Sequence, residues 1–321
     1  MSFSRGAALL LLAGKLASAT SITFATIDDP SAVDGTYARS INDSGQIVGF
    51  YFDATTSHGF LYAGGIFTPI DDPITTSGTG AYGINNSGQI VGDYGNGASL
   101  HGFLDVGGVF TTIDDPNGAN GTTAGGINNL GQIVGTYRDG LGDLHGFLYV
   151  GGVFTTIDVP GAVGDTEAFG INDSGQITGC YGDSTGDHGF LDVGGGFSTL
   201  DDPNATNGTC ALGINNAGQV VGFYNDAAGP HGFVYAGGIF ATIDDPSATS
   251  GSVGSGINDF GQIVGWFDNF PSHGFEATLT PEPSSLALVS AAVASLFAVY
   301  KRRTQTGQRN AARIACVERK K

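Results

Sequence analysis

The sequence predicts an all-β ring, a six-bladed β-propeller of four-stranded blades closed by its N-terminal strand. Three observations predict it. First, the phrase Ile-Asn-[Asp/Asn]-x-Gly-Gln-[Ile/Val]-[Val/Thr]-Gly starts at Ile41, Ile84, Ile127, Ile171, Ile214 and Ile257. Its steps are 43, 43, 44, 43 and 43 residues, and a fixed period of that length marks a stacked or circular array. Second, each period holds four short strand-like runs, which matches one propeller blade, whereas a β-solenoid coil repeats at about half that length. Third, the last repeat stops after His273-Gly274-Phe275-Glu276-Ala277-Thr278-Leu279 and lacks the Phe-x-Thr-Ile-Asp-Asp-Pro strand. That strand stands at the other end, as Phe24-Ala25-Thr26-Ile27-Asp28-Asp29-Pro30. The first segment thus completes the last blade, which is how a ring removes its unpaired sheet edges.

The second repeat shows the elements in order. Thr79–Asn85 leads to the turn Asn86-Ser87-Gly88, then to Gln89–Tyr94. A polar loop follows, then His101–Val106, the turn Gly107-Gly108, and Val109–Asp114. Asn-x-Gly and Gly-Gly between β-branched runs are hairpin signals. Pro116 ends the last run, because proline cannot continue a central strand. A displaced strand belongs at the outside of its blade, so the four strands run outward from the axis as A (Ala-x-Gly-Ile-Asn), B, C and D. The A–B and C–D turns are then short and share one face. The B–C and D–A loops are long and share the other, where binding residues on β scaffolds usually sit.

The ends carry an address. Residues 1–19 read as a signal peptide: Arg5 begins it, Gly6–Gly14 is an apolar core, and Ala17-Ser18-Ala19 is a cleavage site before Thr20. At the C-terminus, Pro281-Glu282-Pro283 precedes the uncharged stretch Ser284–Tyr300, and Lys301-Arg302-Arg303 follows. An apolar span of that length is a minimal transmembrane helix, and the basic stop places the tail, 304–321, in the cytoplasm. These three parts, in this order, resemble the PEP-CTERM sorting signal of Gram-negative bacteria, over residues 281–303. The resemblance implies an exosortase-type processing enzyme as a partner, an inner-membrane precursor held by its C-terminal helix, and release to the cell surface or beyond. The 18 residues Thr304–Lys321 depart from that pattern, since such signals usually stop soon after the basic cluster.

The body between these ends, residues 20–279, holds two basic residues, Arg39 and Arg138, against 28 acidic ones, a net charge of −26. A field of that sign repels nucleic acid and attracts cations. Glycine, at 55 of 321 residues, is far above the usual ~7% and suits short strands joined by tight turns. Cys180 and Cys210 lie in adjacent repeats, and an oxidising compartment would let them pair. Spacing alone does not separate a bridge from two isolated small apolar residues.

Six His-Gly-Phe motifs, beginning at His58, His101, His145, His188, His231 and His273, accompany the Asn-x-x-Gly-x-x-x-Gly phrase. Together they resemble the bacterial extracellular HAF repeat family, across the whole body, a resemblance that implies no established activity. Six equivalent histidines on six blades lie on a circle and cannot converge on one zinc ion, so they are read as structural, bonded to a loop carbonyl or to the blade's own aspartate. The Asp-Asp-Pro pairs are read as turn caps, because adjacent strand residues point to opposite faces. No cofactor is expected. Weak calcium binding by loop oxygens is the alternative, without a complete calcium loop to support it.

An aromatic ends strand B in every repeat: Tyr51, Tyr94, Tyr137, Tyr181, Tyr224 and Phe267. Phe52 and Trp266 adjoin two of them, and Asp139 and Asp268 lie close by. Regular aromatics usually fill core. Aromatic faces beside carboxylates also suit sugars, so Phe52, Trp266, Tyr94, Tyr137, Asp139 and Asp268 are the candidate ligand residues. No nucleophile, phosphate-loop or zinc-protease motif occurs. The expected function is a non-catalytic, adhesive or structural protein of the envelope or matrix, with extracellular polysaccharide as partner. A glycan-active hydrolase on the same scaffold and a protein–protein spacer are the alternatives.

Overall fold

The computed structural model describes residues 20–281, within which Ile22–Leu279 form one compact unit. The signal peptide, the Glu282–Pro283 part of the sorting motif, the membrane helix and the basic tail lie outside the described residues. Among the described residues there are 24 strands and no helix.

Strand β1 (Thr20–Ile27) opens the described chain. Blade 1 comprises β2 (Thr36–Ile41), β3 (Ile47–Phe52), β4 (Ser57–Ala63) and β5 (Ile66–Ile70). Blade 2 comprises β6 (Thr79–Ile84), β7 (Gln89–Gly95), β8 (Leu100–Val106) and β9 (Phe110–Ile113). Blade 3 comprises β10 (Thr122–Ile127), β11 (Ile133–Arg138), β12 (Leu144–Val150) and β13 (Val153–Ile157). Blade 4 comprises β14 (Thr166–Ile171), β15 (Gln176–Gly182), β16 (Asp187–Val193) and β17 (Gly196–Leu200). Blade 5 comprises β18 (Thr209–Ile214), β19 (Val220–Asn225), β20 (Pro230–Ala236) and β21 (Ile239–Thr242). Blade 6 comprises β22 (Ser252–Ile257), β23 (Gln262–Asp268), β24 (Ser272–Pro281) and β1, which pairs with β24 as the outermost strand. All six sheets are therefore four-stranded, and the displaced strand closes the ring.

The repeated phrases explain the geometry. Gly64 and Gly65 in the first C–D turn have φ of 59° and 86°, the two positive values that a tight hairpin turn requires. The Phe of each His-Gly-Phe motif, such as Phe103, is 0% exposed and lies across the strand B glycine opposite it. At Gly92 a Cβ would meet the Gly80 carbonyl oxygen and come within 2.8 Å of the Phe103 ring, so that position takes only glycine. Six such rings, Phe60, Phe103, Phe147, Phe190, Phe233 and Phe275, anchor the blade cores. Each contributes on the order of 1.5–3 kcal/mol of burial.

Side chains at the A–B turns join the blades around the axis. Asn128 illustrates the pattern. Its amide donates to Gln132 Oε1 (2.7 Å) and to the Asn172 carbonyl of the next blade (3.0 Å). Its Oδ1 accepts from the Leu130 and Gln132 amides, each at 3.0 Å. Asn42, Asn85, Asn172, Asn215 and Asn258 do the same, and Asn258 donates back to Asn42, so the ring of bonds is closed. A second ring follows one residue on, where each backbone amide donates to the next blade's Asp or Asn, and Asp259 returns to Asp43. Elsewhere Cys180 of β15 and Cys210 of β18 form a disulfide between blades 4 and 5, with Cα atoms 5.1 Å apart.

Candidate functional site

The innermost strand of every blade carries a β-bulge at one equivalent position. In blade 1 the pairing jumps from Ala38 to Ser40, leaving Arg39 unpaired. The same slip isolates Tyr82, Gly125, Phe169, Leu212 and Ser255. A bulge re-aims its extra residue, and all six line an axial cavity of about 320 Å³. The Asn and Asp residues of the A–B turns line it as well. One wall is polar and crowded: the Arg39 guanidinium lies 5.4 Å from the centre of the Tyr82 ring, in cation–π geometry. Tyr82 donates its hydroxyl to Asp93 Oδ1 (3.2 Å), and Thr123 of the next blade donates to Asp93 Oδ2 (2.8 Å). The opposite wall is apolar, with Phe169 and Leu212.

Burial sets the electrostatics of this wall. Asp93 is 7% exposed, and desolvation pushes its carboxyl up to about 6, against the bonds from Thr123 and Tyr82 and the Arg39 charge. Burial, then the Asp93 charge, pushes the Tyr82 phenol up. Burial works against the Arg39 charge, which Tyr82 and Asp93 partly offset. The sequence names Arg39 only as one of two basic residues in the body and Asp93 only as one of a repeated series of carboxylates, and it marks neither, nor Tyr82, as a site residue. The one available signal was the irregular series Arg, Tyr, Gly, Phe, Leu, Ser at a fixed point in an otherwise constant phrase.

A second irregular feature lies at the seam between blades 6 and 1, on the face of the B–C and D–A loops. Trp266 meets Tyr37 edge-on at 5.2 Å, Tyr37 stacks on Phe50 at 4.9 Å, and Phe50 meets Tyr82 at 5.9 Å. Phe52 packs against Tyr37 and Phe50 and is 36% exposed. Tyr37 donates its hydroxyl to Ser272 (3.0 Å), which donates in turn to Asp268. The structure thus brings Phe52, Trp266 and Asp268 together, with Tyr37 as the link that sequence reasoning missed. The aromatic chain runs from this surface to the Arg39–Tyr82 wall of the cavity.

Three other candidate residues sit elsewhere. Tyr94 and Tyr137 are 3% and 5% exposed; their rings stack on His101 and His145, and their hydroxyls bond Thr112 and Thr156 of strand D. They are core, not ligand surface, because the strand alternation turns them into the blade. Asp139 is spent on its own loop, where its Oδ1 accepts from the amides of Leu141, Gly142 and Asp143.

Each histidine bonds an aspartate at the end of its blade's outermost strand. His58 Nδ1 bonds Asp71 (3.1 Å) and its Nε2 bonds Asp53 (3.3 Å), while its ring stacks on Tyr51. The same pair to the first Asp of Asp-Asp-Pro occurs at His101, His145, His188, His231 and His273, the last reaching Asp28 on β1. The first aspartate is therefore an ion-pair partner rather than a cap. The second, such as Asp115, caps the turn by accepting from the Asn117 amide. For His58, His145 and His188, burial opposes the charged ring, but the flanking carboxylates outweigh it and the pKa is raised. For His231 the Asp244 bond is the largest influence, again upward. Among the described residues no group of three or more His, Cys, Asp or Glu is placed to hold a metal ion. None of their elements is a helix long and apolar enough to cross a membrane.

No family model matches the chain. No curated protein matches it either. Solved structures share the fold. A triple-arginine mutant of AofleA from Arthrobotrys oligospora aligns at 14% identity and TM-score 0.51, over 81% of this chain and 90% of the other. A streptogramin B lyase aligns at 13% identity and TM-score 0.49, over 81% and 98%. An Aleuria aurantia lectin mutant in complex with α-methyl-L-fucoside aligns at 13% identity and TM-score 0.49, over 82% and 95%. At such identities the likeness is one of fold, and the chain is an all-β, six-bladed propeller.

Proposed function

We propose that the chain is a non-catalytic carbohydrate-binding propeller of the cell surface or extracellular matrix. The observation that carries this reading is the seam between blades 6 and 1. There a partly exposed aromatic cluster lies beside a hydroxyl and carboxylate relay of Tyr37, Ser272 and Asp268. Apolar faces with a few convergent polar groups are the usual make-up of small-molecule sites. The surface location rests on the leader and sorting signal read from the sequence, with an exosortase-type enzyme as the processing partner and matrix polysaccharide as ligand. Binding of the purified protein to the producing cell's exopolysaccharide, with and without a calcium chelator, tests it. Saturable binding lost in Phe52→Ala and Trp266→Ala supports the seam. Loss on chelation alone would assign the contact to calcium bridging loop carboxylates. No binding in either condition leaves a protein-contact role.

A glycan-active enzyme is the second reading, and Asp93 favours it. A carboxyl held near neutral pKa beside an arginine can donate or take a proton. A cleavage product that disappears in Asp93→Asn would establish it.

A further inference from the structure

We infer that the axial cavity is a second binding site, for a sugar acid of about monosaccharide size whose single carboxylate pairs with Arg39. This goes beyond the seam and stands independently of it. Among the described residues the Arg39 guanidinium makes no ion pair and no side-chain hydrogen bond, although the body carries 28 acidic residues and Asp93 shares its wall. Arginine offers five N–H donors in a planar fork that matches a carboxylate. Here the fork is held by the Tyr82 ring on the cavity wall, and Asp93 is already engaged by Tyr82 and Thr123.

A second observation points the same way. Ser255 is 6% exposed and lines the same cavity, yet its buried Oγ has no hydrogen-bond partner. A buried hydroxyl without a partner is uncommon in native structures. A sugar hydroxyl becomes the missing partner of Ser255 if the side chain turns its Oγ, now closed off, into the cavity. Phe169 and Leu212 supply an apolar surface for ring C–H groups opposite. At about 320 Å³ the cavity lies at the small end of ligand pockets, roughly 300–1,000 Å³, which suits one sugar ring.

Charge at the mouth selects among acids. Asp43, Asp173 and Asp259 form part of the collar of A–B turns. Asp43 lies in the turn just beyond the end of β2, four positions on from Arg39. The collar's charge opposes the approach of any anion, and salt screens a buried group such as Arg39 little, so the Arg39 fork must outweigh it for a carboxylate to bind. A polyanionic chain would meet the collar with several charges, a mono-acid with one.

Calorimetry of the full-length protein with D-glucuronate and D-galacturonate, against D-glucose and D-galactose, tests the inference. Uronate binding should exceed hexose binding, and Arg39→Gln should weaken uronate about 10- to 100-fold while leaving the hexoses unchanged. Phe169→Ala should weaken both. Arg39→Gln gives up the cation–π contact with Tyr82, so a cooperative melting transition, shifted at most modestly, is the control that the variant is folded. A triuronide arm separates the sources: binding of the monosaccharide alone identifies a free acid, and binding of both identifies a chain end. Equal affinity for uronates and hexoses, uronate binding untouched by Arg39→Gln, or no uronate binding at all would overturn it.

Discussion

Replacing one asparagine of the axial ring should cost more than any surface change and should depend on pH. Asn128 is 4% exposed and its side chain makes four hydrogen bonds, two within its turn as acceptor and two as donor. At about 1 kcal/mol net for each bond, Asn128→Ala should lose about 4 kcal/mol, within a range of roughly 2–6. Asn128→Asp is nearly the same shape and keeps both accepted bonds. Its second oxygen, however, would face Gln132 Oε1 and the Asn172 carbonyl where the amide now donates at 2.7 and 3.0 Å. At pH 8 it should therefore be at least as damaging as alanine. At pH 4 protonation restores one donor, and about 1 kcal/mol should return. Urea unfolding followed by Trp266, the single tryptophan, reads the global loss, and amide exchange at Leu130 and Gln132 reads the local one. An alanine loss below about 1 kcal/mol, or an aspartate variant as stable as wild type at pH 8, would show that these amides do not tie the blades together.

Cys180→Ser should lose about 3–4 kcal/mol by the chain-entropy relation for a separation of 30 residues, and dithiothreitol should reproduce the loss in the wild type alone. Asp93→Asn should match wild type at pH 4 and exceed it by about 3 kcal/mol at pH 8. A carboxyl pushed up to about 6 resists ionisation in the fold, so its cost appears as pH rises past the unfolded value near 3.8. Melting curves across that range check it. The raised pKa of His58, His145, His188 and His231 adds stability that is complete below about 6.5 and lost as pH climbs through the folded values. The melting temperature should fall as pH rises above about 6.5, and His188→Gln should flatten that fall.

The ring was legible because its period repeats the same chemistry six times and because Ile27 belongs to a strand that the last repeat lacks. That each histidine bonds within its own blade was legible from symmetry, since equivalent residues on a circle cannot share one ligand, but the choice of aspartate over a loop carbonyl was not. Alternation along a strand has period two, and the bulge breaks it by one residue. That is why the placement of Arg39 and Tyr82 on the axis was not legible. Tyr94 and Tyr137 were misplaced for a related reason. An aromatic at a strand end reads alike whether it faces solvent or core, and only the Thr112 and Thr156 hydroxyls reveal which. The Tyr37–Ser272–Asp268 relay joins residues 235 positions apart, which no local pattern encodes.

Blade 6 is assembled from both ends of the body, and this sets the order in which the ring closes. His58 and Asp71 are 13 residues apart, whereas His273 and Asp28 are 245 apart. Loop-closure entropy grows as (3/2)RT ln n, so the same ion pair costs about 2.6 kcal/mol more to form in blade 6. Blades 1 to 5 can condense as the chain is made, each from contiguous sequence, and the clasp must wait for both ends. Opening of the ring at this clasp leaves the sheets of blades 1 to 5 whole. An opened copy presents β24 as a bare edge shaped for β1, including the β1 of another molecule, so pairwise strand exchange is the association to which this architecture is most prone.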